Sequence, residues 1–149
     1  MLERNQTRSF TKKYGRLVSE LDTSVKIANP ANRNFVDLLA VWDTGATNSV
    51  ITNTAAKKCG LIPVGIENVS GVTGTSQVSA YFVTMGLPNN IEMDLRVTEG
   101  EDCIGCDVLI GMDVISKGDF CVTNKNGMSM FSFRVPSIAS TDYVKEGCC

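Results

Sequence analysis

Runs of apolar residues bounded by Gly, Pro, Asn and Asp divide this chain into short segments, most of which read as strands. Phe35 to Trp42, with Leu38-Leu39-Ala40-Val41 within it, predicts a buried strand that delivers Asp43 into a turn. Val50-Ile51 closes that turn, and Thr52 or Asn53 can cap a short helix through Ala55 to Cys59, with Gly60 as its C′ residue. Leu61 to Val69 reads as extended. The Gly-rich stretch Val69 to Ser76, followed by Gln77 to Val83, predicts a mobile hairpin. Apolar residues alternate with polar ones at Ile91, Met93, Leu95 and Val97, the pattern of a half-buried strand.

Further on, Asp107-Val108-Leu109-Ile110 predicts a second buried strand ending at Gly111, then a helical turn from Met112 to Lys117 that stops at Gly118. Phe120 to Thr123 and Met128 to Val135 flank Asn126-Gly127, a hairpin signal, and Phe131, Phe133 and Val135 share one face. Tyr14 to Ile27 predicts a strand or hairpin leading into Asn29-Pro30. Its Asp22-Thr23-Ser24 lacks a following Gly and is expected on the surface. Residues 1–13 hold Arg4, Arg8, Lys12 and Lys13 against Glu3 and predict a flexible basic arm. Residues 14–136 form the expected domain, and 137–149 a polar tail.

Composition agrees with a single globular domain, since the chain has 149 residues, 43% hydrophobic and 20% charged. A net charge of −2 gives no sign of a phosphate-backbone or nucleic-acid binder. Histidine is absent, which excludes Ser-His-Asp and Cys-His catalysis and any His-ligated zinc. No apolar run approaches the ~18 residues of a membrane span. The first residues carry no apolar signal core, so a soluble cytoplasmic protein with no membrane association is expected.

The chemistry centres on Asp43. A carboxylate at the end of an apolar strand needs a pairing partner, hydrogen bonds, or a second acid that shares its proton. Thr44 offers a hydroxyl, and Gly45, without a Cβ, lets backbone amides approach the carboxylate. Six cysteines are the other candidates: Cys59, Cys103, Cys106, Cys121, Cys148 and Cys149. Cys103-Ile104-Gly105-Cys106 has the spacing of metal knuckles and redox pairs, but Cys148-Cys149 is a poor second ligand pair. Reduced thiols and no metal are expected.

Three stretches in order, Ala40-Val41-Trp42-Asp43-Thr44-Gly45-Ala46, the Gly-rich hairpin about thirty residues later, and Val108-Leu109-Ile110-Gly111, resemble the retropepsin family of aspartic proteases across residues 15–135. The resemblance implies an all-β, closed barrel-like lobe with a flap hairpin and one or two short helices. It implies an aspartic endopeptidase with Asp43 as catalytic residue, Thr44, Gly45 and Ala46 supporting the active-site loop, and Ile110 and Gly111 in a second loop beneath it. Gly71, Val72, Thr73, Gly74 and Thr75 resemble the flap tip that folds over a polypeptide substrate. Too few residues follow Asp43 for a second lobe, so catalysis would require a homodimer with one Asp43 from each copy. No metal or organic cofactor is implied.

The chain also departs from that pattern. Retroviral members commonly carry Asp at the place of Thr47 and Arg at the place of Met112, so the ion pair joining those positions is absent and retroviral specificity does not transfer. Asp113 is expected to cap or brace the short helix. Residues 137–149 make a poor interface strand, which leaves another surface or the arm before Tyr14 for dimerisation. Two other functions fit parts of the sequence. Asp43 to Ser49 is also similar to a phosphate loop of the actin-like nucleotide-binding fold, but that fold needs a second Gly-rich loop and more than twice this length. A retropepsin-like binding or scaffold module without proteolysis is the alternative, and dimerisation discriminates it.

Overall fold

The structure, a computed structural model, describes residues 6–102 and 105–146. Ten strands and two short helices follow in the order β1 (Arg8–Lys13), β2 (Leu21–Ala28), β3 (Val36–Trp42), β4 (Val50–Thr52), α1 (Asn53–Lys58), β5 (Gly65–Gly71), β6 (Gly74–Leu87), β7 (Ile91–Gly100), β8 (Val108–Ile110), α2 (Met112–Ile115), β9 (Asp119–Thr123) and β10 (Met130–Val135). The all-β expectation holds. Six strands, neighbours in the order β2, β3, β8, β4, β7, β6, close into a barrel because β6 pairs back onto β2 through Lys26↔Gly86 to Ala28↔Thr84. Closure removes the sheet edges that an open sheet would leave exposed. Val25, Ile27, Ala40, Val83, Met85, Val97, Val108 and Ile110 fill its interior and are buried. Each Val, Ile or Met among them contributes roughly 1.5–3 kcal/mol of burial.

The first half of β6 runs beyond the barrel and pairs only with β5, from Ile66↔Ser79 to Gly71↔Gly74, which makes the projecting hairpin expected around residues 69–76. Thr52 caps α1, its hydroxyl accepting from the Ala55 amide at 3.2 Å, and Gly60 follows with φ of 61°. Asn126 and Gly127 both take positive φ, 57° and 71°, in the connection between β9 and β10, as a turn matched to strand twist requires. The helical turn expected to Lys117 is shorter and ends at Ile115.

Beside the barrel lies a three-stranded antiparallel sheet in the order β1, β10, β9. This corrects the expected basic arm: Arg8–Lys13 is a strand paired with β10 from Arg8↔Val135 to Lys13↔Met130, and Phe10 is only 7% exposed. One inward aromatic among basic and hydroxyl side chains is too weak a period to read locally, and the partner strand lies over a hundred residues away. Residues 1–5 of that arm lie outside the described residues.

Phe10, Phe120, Phe131 and Phe133 from this sheet surround Trp42 of β3, with ring centroids 5.0 Å apart for Trp42–Phe133 and 5.2 Å for Trp42–Phe131. Aromatic pairs at such distances contribute about 0.5–1.5 kcal/mol each beyond burial. The Trp42 indole N–H donates to the Thr23 hydroxyl at 2.9 Å. Thr23 is therefore buried in β2, not on the surface as Asp22-Thr23-Ser24 suggested, while Asp22 pairs with Lys12. The apolar run in β3 is also buried on one face only, since Leu39 is 38% exposed. A barrel strand turns alternate side chains outward, and the Leu39 amide instead donates to the Asp107 carboxylate at 2.9 Å. Cys59 and Cys121 are free thiols; Cys103, Cys148 and Cys149 lie outside the described residues. Burial pushes the Cys59 thiol up to about 11, which keeps it protonated at neutral pH. No helix among the described residues is long and apolar enough to cross a membrane.

Candidate active site

Strands β3 and β8 run parallel, side by side, with Trp42 opposite Ile110. Both chains leave the barrel at that point, so Asp43 and Gly111 start two loops next to each other. The Asp43 amide donates to the Ile110 carbonyl at 2.9 Å and extends the ladder by one bond. With Trp42 locked in the aromatic cluster on one side, the backbone that carries Asp43 has little freedom.

The loop after Asp43 turns back on the acid. The Gly45 amide donates to Asp43 Oδ1 at 2.8 Å and the Ala46 amide to the Asp43 carbonyl at 3.2 Å. A Cβ on Gly45 would sit 3.1 Å from Asp43 Oδ1, so the missing side chain is what lets the amide come so close. Asp43 is half-buried, and Thr44 is exposed beside it.

The second loop carries the first. Met112 and Asp113 amides donate to the carbonyls of Ala46 and Thr47 at 2.8 and 3.1 Å. A Cβ on Gly111 would lie 2.8 Å from the Ala46 carbonyl oxygen and equally close to the Asn48 backbone. Only glycine lets the loops touch there. Ser49, fully buried, ties the arrangement: its hydroxyl donates to Asp113 Oδ1 at 2.7 Å and accepts from the Gly111 amide at 3.0 Å, while its own amide donates to Asp113 Oδ2 at 3.0 Å. Asp113 thus braces the two loops, with a further bond from the Val114 amide at 3.0 Å.

A cavity of ≈ 500 Å³ opens beside the acid, lined by Glu20, Val41, Asp43, Leu109, Phe120 and Val122 among others. Its lining mixes apolar and polar side chains in similar measure and carries two carboxylates, Asp43 and Glu20. Asp43, Thr44, Gly45, Ala46, Ile110 and Gly111 are therefore brought together. Gly71, Val72, Thr73, Gly74 and Thr75 are not: they form the exposed hairpin tip and do not line that cavity in a single chain. Thr47 and Met112, where an ion pair was missing from the sequence, meet the opposite loop through backbone groups alone in the bonds above. Two contributors escaped the sequence analysis. Ser49 carried a weak signal, a polar residue placed just before the apolar pair Val50-Ile51. Trp42 carried none beyond its apolar character, because its four Phe partners come from distant strands. Among the described residues no group of three or more Cys, Asp or Glu side chains is arranged to hold a metal ion.

No protein-family model matches the chain, and no curated protein sequence matches it. Solved structures do. A retropepsin-like aspartic protease from Rickettsia conorii superposes with a TM-score of 0.56 at 13% identity, over 90% of this chain and 99% of that one. EIAV protease, solved in complex with the inhibitor HBY-793, superposes with a TM-score of 0.52 at 20% identity, over 66% of this chain and 88% of that one. At such identities the likeness concerns the course of the backbone, and together with the barrel, the projecting hairpin and the paired loops it shows that this chain has the retropepsin-like fold.

Proposed function

We propose that the protein is an aspartic endopeptidase that works as a homodimer on extended polypeptides. The observation that carries this reading is the placement of Asp43: its amide donates to the Ile110 carbonyl and its carboxylate accepts from the Gly45 amide, on two loops that brace each other, beside an open cavity.

One carboxylate is half of a site. Two Asp43 side chains facing each other across a two-fold axis would share one proton, because like charges at contact distance do not both ionise, the arrangement for which aspartic proteases are known. The ionised one takes a proton from a bound water as its oxygen attacks the scissile carbonyl carbon. The protonated one donates to the carbonyl oxygen, and a proton is then delivered to the amide nitrogen as the C–N bond breaks. The two apparent pKa values of activity belong to the pair. The hairpin from Gly71 to Thr75 would close over the peptide and exclude water. No metal or organic cofactor takes part in this scheme.

Cleavage of a diverse peptide library tests the reading. Specific activity should rise with protein concentration and vanish in Asp43→Asn. Activity that is independent of concentration would instead direct attention to Glu20, the other acid on the cavity wall. A folded protein with no Asp43-dependent cut at any concentration would be a binding module on the same fold.

A further inference from the structure

Beside Asp43 the cavity carries a second acid that the proposed chemistry leaves idle. Strand β2 pairs with β3 as far as Leu21↔Trp42, and the same antiparallel register one step further sets Glu20 opposite Asp43. Facing residues on antiparallel neighbours lie about 4.5–5.5 Å apart at Cα. On its other flank Asp43 has Gly111, one step beyond Trp42↔Ile110, and a glycine offers a substrate no side chain. Glu20 is thus the one side chain with a charge that the two neighbouring strands set beside the catalytic acid, and both acids line the ≈ 500 Å³ cavity.

The Glu20 carboxylate has no partner among the described residues, neither a hydrogen bond nor an ion pair. Asp22, two positions on, differs: Lys12 holds its carboxylate at 2.5 Å and the Tyr14 hydroxyl donates to it at 3.1 Å. Lys12 is therefore spoken for, and Arg16, which lines the adjoining cavity with it, makes no bond to Glu20. An unpaired carboxylate on open surface is ordinary, because water solvates it. On the wall of a cleft that takes up a peptide it discriminates, since the peptide displaces that water.

Leu21, Val41 and Leu109 line the same cavity. A Lys or Arg side chain suits such a lining, with its methylenes along the apolar groups and its charged head on the acid; the Arg fork can bond both carboxylate oxygens. An acidic side chain would meet a like charge there. Nor does the groove stop at Glu20: a second cavity of ≈ 400 Å³ shares Ser19, Glu20 and Val41 with the first. Since an extended peptide advances ~3.3 Å per residue, Glu20 is within reach of a long side chain one or two residues from the bond held at Asp43.

We propose that Glu20 is a specificity-determining residue of this cleft, and that the polypeptides it selects carry Lys or Arg within two residues of the cut. In a two-fold dimer a second Glu20 occupies the symmetry-related place, so a cation on either side of the scissile bond meets an acid. The inference rests on the aspartic-protease reading and names the substrate class of that same site.

The test takes a peptide that the chain cleaves and varies the two positions on each side of the cut among Lys, Met and Glu. At the responsive position Lys should exceed Glu about tenfold in kcat/KM, equivalent to ~1.4 kcal/mol, and the ratio should shrink as salt is raised. Glu20→Gln should bring the ratio close to one, and Glu20→Lys should invert it; Glu20 is exposed, so both variants should keep the wild-type circular dichroism spectrum. A wild type without preference for Lys over Glu at any of the four positions, or a preference that survives unaltered in Glu20→Lys, would overturn the proposal while leaving the protease reading intact. Should no peptide be cut at all, that reading falls, and the same peptides carrying a fluorophore are read by anisotropy on the full chain: tighter binding of the Lys peptides, inverted in Glu20→Lys, would uphold the role of Glu20, whereas equal binding or none would remove it too.

Discussion

Two glycine-rich regions of this molecule do opposite things. At the base of the barrel, Gly45 and Gly111 are glycines of contact: a Cβ on the first would press on the Asp43 carboxylate, and one on the second would enter the backbone of residues 46 and 48. At the hairpin tip, Gly71 and Gly74 have nothing within 4 Å of where a Cβ would lie, and Val72 between them is fully exposed. The first pair removes freedom by letting two loops lock together. The second keeps freedom in a hairpin held by its own ladder. A hydrolase needs both, an acid whose position is settled before substrate arrives and a cover that adapts to it.

The contrast can be broken at either end. Gly111→Ala should have the largest effect, about 3 kcal/mol of destabilisation from overpacking against backbone that cannot retreat, read as a lower midpoint in urea unfolding. Ser49→Ala should come next, at roughly 2 kcal/mol, because it strips a buried hydroxyl from Asp113 and leaves the Gly111 amide without its acceptor. Both should lower peptide cleavage more than their loss of folded protein explains. Val72→Ser should do the reverse: stability within about 0.5 kcal/mol, but a loss of up to about tenfold in kcat/KM, the equivalent of one partly buried Val side chain. Gly71→Ala should be the smallest, within ~0.5 kcal/mol by the same unfolding assay. A Gly71→Ala chain as unstable as Gly111→Ala would erase the distinction.

The same contrast explains what could be read without coordinates. The places of Asp43 and Gly111 in the fold were legible because each follows directly on an apolar run, and Gly45 because a glycine marks the turn after it. The hairpin at 71–74 and the turn at Asn126-Gly127 were legible for the same reason, as both are chemistry of adjacent residues. Contacts between distant segments were not. β1 looked like a basic arm because one Phe10 among polar residues shows no period until β10 lies beside it. Thr23 looked exposed because its partner, the Trp42 indole, sits on another strand. The brace between Ser49 and Asp113 spans 64 positions, and neither residue type alone announces it. The position of Asp43 was thus a local signal, whereas the scaffold that holds it is a sum of pairings.

The most direct test of the central claim is peptide cleavage by the wild-type chain and Asp43→Asn over a range of protein concentrations. The account predicts cuts whose specific activity climbs with concentration until dimer saturates, and a fall of about 10³-fold or more in Asp43→Asn, within the range or beyond what one general acid/base group contributes. Cleavage that persists undiminished in folded Asp43→Asn would contradict it.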